Sequence, residues 1–337
     1  MDLTGNITPD FGNLTFVDSL DLGSNNFYGE IPKEISNLVE LEDLDLGVNN
    51  FSGSLPMEIF NILGLRVISL LFNNLSGTLP SNIGSILPNI EGLYLGGLTN
   101  LVGTIPHSIS NCSKLTILEL ASNKLTGLIP NFLGHLTSLC FLDLAGNNLT
   151  SNSSLSFLTS LTNCRNLTTF SLSLNPPNGM LPVSVGNFST SLLKFYAHSC
   201  KINRRLPNKV GNLTSLLDLD LSDNDLVGYP TSIGNLRNLQ GLYLSYNKLT
   251  GSIGDNICKL QHLADIDLTE NKLSGSLPHC LGNVTGSNKL SFNVPASLGN
   301  LKDLVLLDLS SNNMVGSLPP EIGNLKVATR LDQSILK

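Results

Sequence analysis

Asparagine recurs along this chain at a nearly constant interval, and each time it closes the same phrase. Asn25, Asn49, Asn73, Asn123, Asn147, Asn175, Asn224, Asn247, Asn271, Asn288 and Asn312 each end a segment reading L-x-x-L-x-L-x-x-N, mostly 23 to 25 residues apart. A unit of this length cannot bury its apolar side alone, so the core must come from stacking one coil on the next. A chain of 337 residues would otherwise suggest two or three globular domains. The repeat points instead to one elongated solenoid over residues 1–337 with twelve intact strands, whose function lies on a surface because it has no crevice by default.

The coil Leu216 to Leu239, "LLDLDLSDNDLVGYPTSIGNLRNL", shows how each unit is built. Leu216, Leu219 and Leu221 alternate inward as in a strand buried on one face, while Ile233 and Leu236 fill the interior from the return path. Asn224 turns inward, where its amide can satisfy backbone groups of its own turn and of neighbouring coils. An unpaired buried polar group costs about 1 to 3 kcal/mol, which explains the strictness of the position. The Gly and Pro that follow are expected to bend the chain across the convex side. This is the leucine-rich repeat pattern, an α/β repeat forming a right-handed superhelix with a parallel concave β-sheet.

The L-x-G-x-I-P element, as in "LTGLIPNFLG" from Leu125, marks the plant-specific class of these repeats. On this element the chain resembles the ectodomains of plant leucine-rich repeat receptor-like serine/threonine kinases over nearly all its length. The opening "LTGNITPDFGNLTFVDSLDLGSNNFYGEIP" is similar to the first coils of the pattern-recognition immune subfamily that includes the flagellin and bacterial elongation-factor receptors. "NNLTSNSSLSFLTSLTNCRNL" adds four residues to one coil, as in that subfamily. The resemblance implies recognition of an extracellular peptide or microbial pattern, followed by recruitment of a co-receptor kinase of the somatic embryogenesis receptor kinase type. It also implies a single-pass membrane protein carrying this part on the extracellular face of the plasma membrane.

Departures from the pattern are few. Only 17 residues separate Asn271 from Asn288, and "CLGNVTGSNKLSFNVPASLGNL" lacks the expected strand after Val284, so 284–292 should be irregular. "LKVATRLDQSILK" starts a fresh strand and loses it at Gln333. There is no Trp, although relatives cap the N-terminal end with a Trp and paired cysteines, so an incomplete ectodomain with uncapped ends is expected. Leu98 takes a ladder position, and Arg204 replaces the Gly of L-x-G-x-I-P.

Charged residues make up 13% of the chain and its net charge is −7, with no run of Lys and Arg, which argues against nucleic acid and anionic membranes as partners. No apolar stretch of eighteen residues spans a bilayer, and Met1-Asp2-Leu3-Thr4-Gly5 does not open a signal peptide. Eleven N-x-S/T acceptors nevertheless suit a secreted glycoprotein: Asn50, Asn74, Asn111, Asn148, Asn152, Asn166, Asn187 and Asn212, with Asn6, Asn13 and Asn283. Cys112, Cys164 and Cys200 stand at core positions and read as buried substitutes, whereas Cys258 and Cys280 fall on adjacent coils where stacking could let them bridge.

Nothing suggests catalysis. Asp10-Phe11-Gly12 spells a kinase magnesium triplet, but it lies inside a repeat tail without the accompanying kinase segments. The five histidines scatter over different coils, no cysteine or histidine set has metal spacing, and no cofactor is expected. The informative positions are the outward residues of the strands. Asp is the default in the central slot, and Ser69, Tyr94, Glu119, Ser171, Tyr196 and Tyr243 depart from it. Flanking slots add Leu71, Phe72, Phe141, Leu174, His198, Tyr246 and Glu270. Tyrosine gives contact area at low entropic cost. The candidate ligand contacts are therefore Tyr94, Phe141, Tyr196, His198, Asp218, Asp220, Tyr243, Tyr246 and Asp267, a set suited to a basic peptide. The other two readings are a secreted inhibitor resembling those of polygalacturonase and a cytosolic scaffold.

Overall fold

The computed structural model describes residues 3–251, 255–273, 305–308 and 330–332. It divides into two compact units, Met1–Ser151 with Ser160–Asn175 and Asn152–Thr159 with Pro176–Lys337. Each is a stack of coils. In the first, the strands Ser19–Asp21, Asp43–Asp45, Val67–Ser69, Gly92–Tyr94, Ile117–Glu119, Phe141–Asp143 and Thr169–Ser171 pair in parallel, each with the next. In the second the strands are Lys194–Tyr196, Asp218–Asp220, Gly241–Tyr243, Asp265–Asp267, Leu306–Asp308 and Arg330–Asp332. In ten of these strands the middle residue points into the core, where Leu44, Ile68, Leu93, Leu118, Leu142, Phe170, Phe195, Leu219, Leu242 and Ile266 are buried. Each such side chain contributes about 1.5 to 3 kcal/mol.

The register follows the strand motif and not the length of chain between strands. Gly241 faces Asp265 at an offset of 24, but Asp265 faces Leu306 at an offset of 41. The irregular segment expected at 284–292 and the Cys258–Cys280 pair involve residues outside the described ones.

Beyond the ladder positions from Asn25 to Asn147 the first unit forms a second parallel sheet, which has seven strands, including Asn50–Ser54, Asn74–Thr78 and Lys124–Leu128. This differs from the sequence expectation, which made the L-x-G stretch a bend. Backbone pairing between successive coils outweighs the turn preference of the glycine. The return path consists mainly of 3-10 turns such as Lys33–Asn37, His107–Asn111 and Val183–Asn187, each following a proline whose fixed φ starts the turn. Two short α-helices, Ile83–Ile86 and Ser156–Leu161, also lie on it. No helix among the described residues is long and apolar enough to cross a membrane.

The asparagine ladder is formed as its spacing suggests. Asn73 donates from Nδ2 to the carbonyls of Leu46, Leu70 and Leu71 at 3.0, 3.1 and 3.2 Å, and its Oδ1 accepts the Phe51 N–H at 2.9 Å. Asn224 bonds the Ala197, Leu221 and Ser222 carbonyls in the same way, and its Oδ1 accepts from Ile202 and Cys200. Leu98 is buried in a ladder position, and the Oδ1 of the next ladder residue, Asn123, is buried without a partner. The residue just before the ladder adopts left-handed φ in coil after coil, among them Val48 at 55°, Phe72 at 49° and Tyr246 at 51°. Cys112, Cys164 and Cys200 are buried and Cys140 is half-buried, and none of the four is in a disulfide.

Candidate ligand-binding site

In the second unit the pairing sets Tyr196, Asp220, Tyr243 and Asp267 in one row, with Lys194, Asp218, Gly241 and Asp265 in the row two residues earlier. The Tyr196 phenol donates to Asp218 Oδ2 at 3.3 Å, and the Tyr243 phenol to Asp265 Oδ2 at 3.2 Å. Each tyrosine thus reaches diagonally to the next strand. Gly241 makes this possible for Tyr243, since a Cβ there would meet Tyr243 Cε2 at 2.9 Å and Asp218 Oδ1 at 2.6 Å. Burial, and then the Asp218 carboxylate, push the Tyr196 phenol up to about 12. Tyr243 is likewise raised, by burial and then by Asp265. Both phenols are therefore neutral donors at any physiological pH.

The carboxylates are held by local backbone. Asp220 Oδ1 accepts the Ser222 N–H at 3.0 Å and its hydroxyl at 2.6 Å, and Asp267 Oδ1 accepts the Thr269 N–H at 3.0 Å. Ser199 donates to Asp223 Oδ2 at 2.8 Å, leaving its oxygen to accept from His198 Nδ1, 3.2 Å away. Tyr246 stands apart from the row, 61% exposed in the left-handed position before Asn247.

Tyr94 and Phe141 belong to the first unit and help line a hollow of about 630 Å³. Leu71, Phe72, Ile117 and Phe141 supply apolar wall, Gly96, Gly97 and Ala121 leave the space open, and Glu119 and Asp143 supply carboxylates. The Phe72 ring lies over Gly97, whose Cβ would come within 2.4 Å of Phe72 Cδ1. Tyr94 folds over Gly92 as Tyr243 folds over Gly241, with 2.9 Å from the would-be Cβ to Tyr94 Cε2. Glu119 accepts the Ala121 N–H at 3.0 Å, and Asp143 accepts the Ala145 N–H at 2.9 Å. Burial, and then the neighbouring Asp143, push Glu119 up to about 7, and burial raises Asp143. Among the described residues neither carboxylate has a Lys or Arg in ion-pair contact. This hollow is suited to an apolar side chain ending in a positive charge.

Sequence reasoning missed Asp143, Ile117, Asp265 and the glycines at 92 and 241. The phrase G-L-Y, shared by 92–94 and 241–243, was the available signal. All eight candidate glycosylation residues, Asn50, Asn74, Asn111, Asn148, Asn152, Asn166, Asn187 and Asn212, are exposed. Asn152 is committed locally, since its Oδ1 accepts the Ser156 N–H at 3.0 Å and its Nδ2 donates to Ser156 Oγ at 2.8 Å, at the start of Ser156–Leu161.

Family models of the leucine-rich repeat match residues 88–149 and, in a second version, 17–38, 238–260 and 303–325. The LRR receptor-like serine/threonine-protein kinase EFR of Arabidopsis thaliana is 35% identical over 88 residues, covering 26% of this chain and 8% of the relative. The crystallised ectodomain of the Arabidopsis membrane receptor kinase GASSHO1/SCHENGEN3, in complex with CASPARIAN STRIP INTEGRITY FACTOR 2, is 38% identical with a TM-score of 0.85, over 97% of this chain and 39% of that one. The plant peptide hormone receptor RGFR1 in complex with RGF2 is 31% identical with a TM-score of 0.69, over 97% of this chain and 61% of that one. The chain thus spans less than two thirds of each of these proteins. With its L-x-G-x-I-P coils, its asparagine ladder and these likenesses, the chain belongs to the leucine-rich repeat family.

Proposed function

We propose that this chain is a ligand-binding segment of a plant receptor-like kinase ectodomain on the extracellular face of the plasma membrane, and that its strand face receives an extended basic peptide. The carrying observation is the pair of half-buried carboxylates, Glu119 and Asp143, set in an apolar hollow without a cation in ion-pair contact among the described residues. A desolvated carboxylate in that setting gains most from an incoming Lys or Arg whose methylenes cover Phe72 and Phe141. The row Tyr196, Asp220, Tyr243 and Asp267 repeats acceptors and aromatic surface one strand apart, as an extended chain requires. RGFR1, a structural neighbour, is a peptide hormone receptor, which supports the same class of ligand. Recruitment of a co-receptor kinase of the somatic embryogenesis receptor kinase type belongs to this reading and rests on resemblance. The proposal gives this chain no catalytic step and no cofactor.

The test is an array of extended peptides of graded charge, probed with the wild-type chain, with Glu119→Gln and with Tyr196→Ala plus Tyr243→Ala. Selective retention of basic peptides is expected, weakened by Glu119→Gln for those held in the hollow and by the double tyrosine variant for those held on the row. Retention indifferent to peptide charge, or unaffected by Glu119→Gln, would sink the reading.

A further inference from the structure

Away from the strand face, one coil of the second unit carries Lys201, Arg204, Arg205 and Lys209 within nine residues, all exposed. These are four of the nineteen cations of a chain whose net charge is −7. Among the described residues none of the four lies in ion-pair distance of a carboxylate. Of the acidic groups on the next coil, Asp225 is paired with Lys248, while Asp223 accepts from the Ser199 hydroxyl and keeps its charge outside ion-pair distance of the four. The four cations of this coil are therefore not held in any direct ion pair among the described residues.

Arg204 occupies the glycine position of L-x-G-x-I-P and adopts the glycine conformation, with φ of 71° against 82° at Gly29, 84° at Gly127 and 68° at Gly228. A non-glycine side chain is disfavoured there, yet arginine stands in it, exposed and on a backbone fixed by pairing of Asn203–Arg204 with Asp225–Leu226. The Arg205 guanidinium lies against the next coil, its Nε and Cζ each 3.2 Å from where a Gly228 Cβ would be. Between the cations stand the amides of Asn203 and Asn208, with Asn178 linked to Asn203 at 3.4 Å.

We propose that this coil is a docking site for an acidic polysaccharide, its four cations meeting uronate carboxylates and its amides meeting ring hydroxyls. Arginine and lysine provide charge-assisted bonds to carboxylate, and an amide both donates to and accepts from a hydroxyl. The patch presents no exposed aromatic side chain, and its outward polar groups are cations and amides. The negative net charge of the chain disfavours a polyanion over most of its surface, so a local cluster of cations is what such a ligand would need. The site is independent of the strand face assigned to peptide.

Arg204→Gly tests this without endangering the fold, because it restores the repeat residue. Binding of the full chain to polygalacturonate is measured by titration at several salt concentrations, with poly-glutamate and neutral methyl-esterified pectin as comparison polymers. The wild type is expected to bind polygalacturonate more tightly than poly-glutamate, to ignore the neutral polymer and to weaken as salt rises. Arg204→Gly combined with Arg205→Gln should weaken binding at least tenfold while the melting temperature holds or rises, and Arg204→Lys should retain most of it. Absence of polygalacturonate binding, binding untouched by the double variant, or tighter binding to poly-glutamate would each overturn the proposal.

Discussion

Asn73→Ala should be among the most damaging single substitutions in this chain, and the ladder contains its own control. The Asn73 amide has two N–H groups facing three carbonyls, so its side chain makes about two full donor bonds, each contributing about 1 kcal/mol. Truncation also orphans the buried Phe51 N–H, at a cost of about 1 to 3 kcal/mol. The expected loss is about 3 to 5 kcal/mol. Asn123 donates to three carbonyls in the same way, but its Oδ1 is already orphaned. Asn123→Ala loses the donor bonds and relieves a buried unsatisfied oxygen, so the two substitutions should differ by about 2 kcal/mol at the least. Urea unfolding gives the stabilities, and native-state amide exchange in the affected coils separates local opening from global unfolding, since stacked repeats need not unfold together. Equal losses from the two substitutions would refute the account of the ladder as hydrogen-bond satisfaction.

Tyr229→Phe should stabilise the chain by about 1 kcal/mol, read as a rise in melting temperature, because the Tyr229 hydroxyl is buried without a partner. Glu119 predicts a pH effect of definite sign. Its folded-state value of about 7 lies above its ordinary 4.5, so the folded chain holds more protons than the unfolded chain between those values, and its contribution to stability falls as pH rises through that window. Denaturant midpoints at pH 5 and pH 8 should show this fall, and Glu119→Gln should flatten it. Arg204→Gly should raise stability by about 1 kcal/mol in the same denaturation assay, since it removes a side chain from a left-handed position.

The strands and the ladder were legible because both depend on residue type at a fixed spacing. Leu219 and Asn224 could be assigned to core and ladder from period and position alone, and they occupy those places. The second sheet was hidden because Gly53 and Gly77 read as turn formers, while what holds their strands is pairing with the next coil, which no single repeat displays. The left-handed position was hidden for a similar reason. Val48 and Phe72 are poor candidates for such a backbone by residue type, so their left-handed φ had no signal in the sequence. At the candidate site the outward residues were identifiable, but their grouping was not. Tyr94 and Phe141 share a hollow in one unit, while Tyr196, His198, Asp218, Asp220, Tyr243, Tyr246 and Asp267 belong to the other. The role of Gly92 and Gly241 as space for a neighbouring ring depends on side-chain direction, which an alternating pattern does not encode.

The pairing of Asp265 with Leu306 has a bearing on how such chains diversify. If closing the longer connection is treated as loop closure, going from 24 to 41 residues adds only about 0.5 kcal/mol of entropy. A stacked sheet therefore counts strands and is nearly indifferent to the length of chain between them. New segments can be gained or lost on the return path while selection acts on the strand face, so the two sides of one coil are free to evolve at different rates.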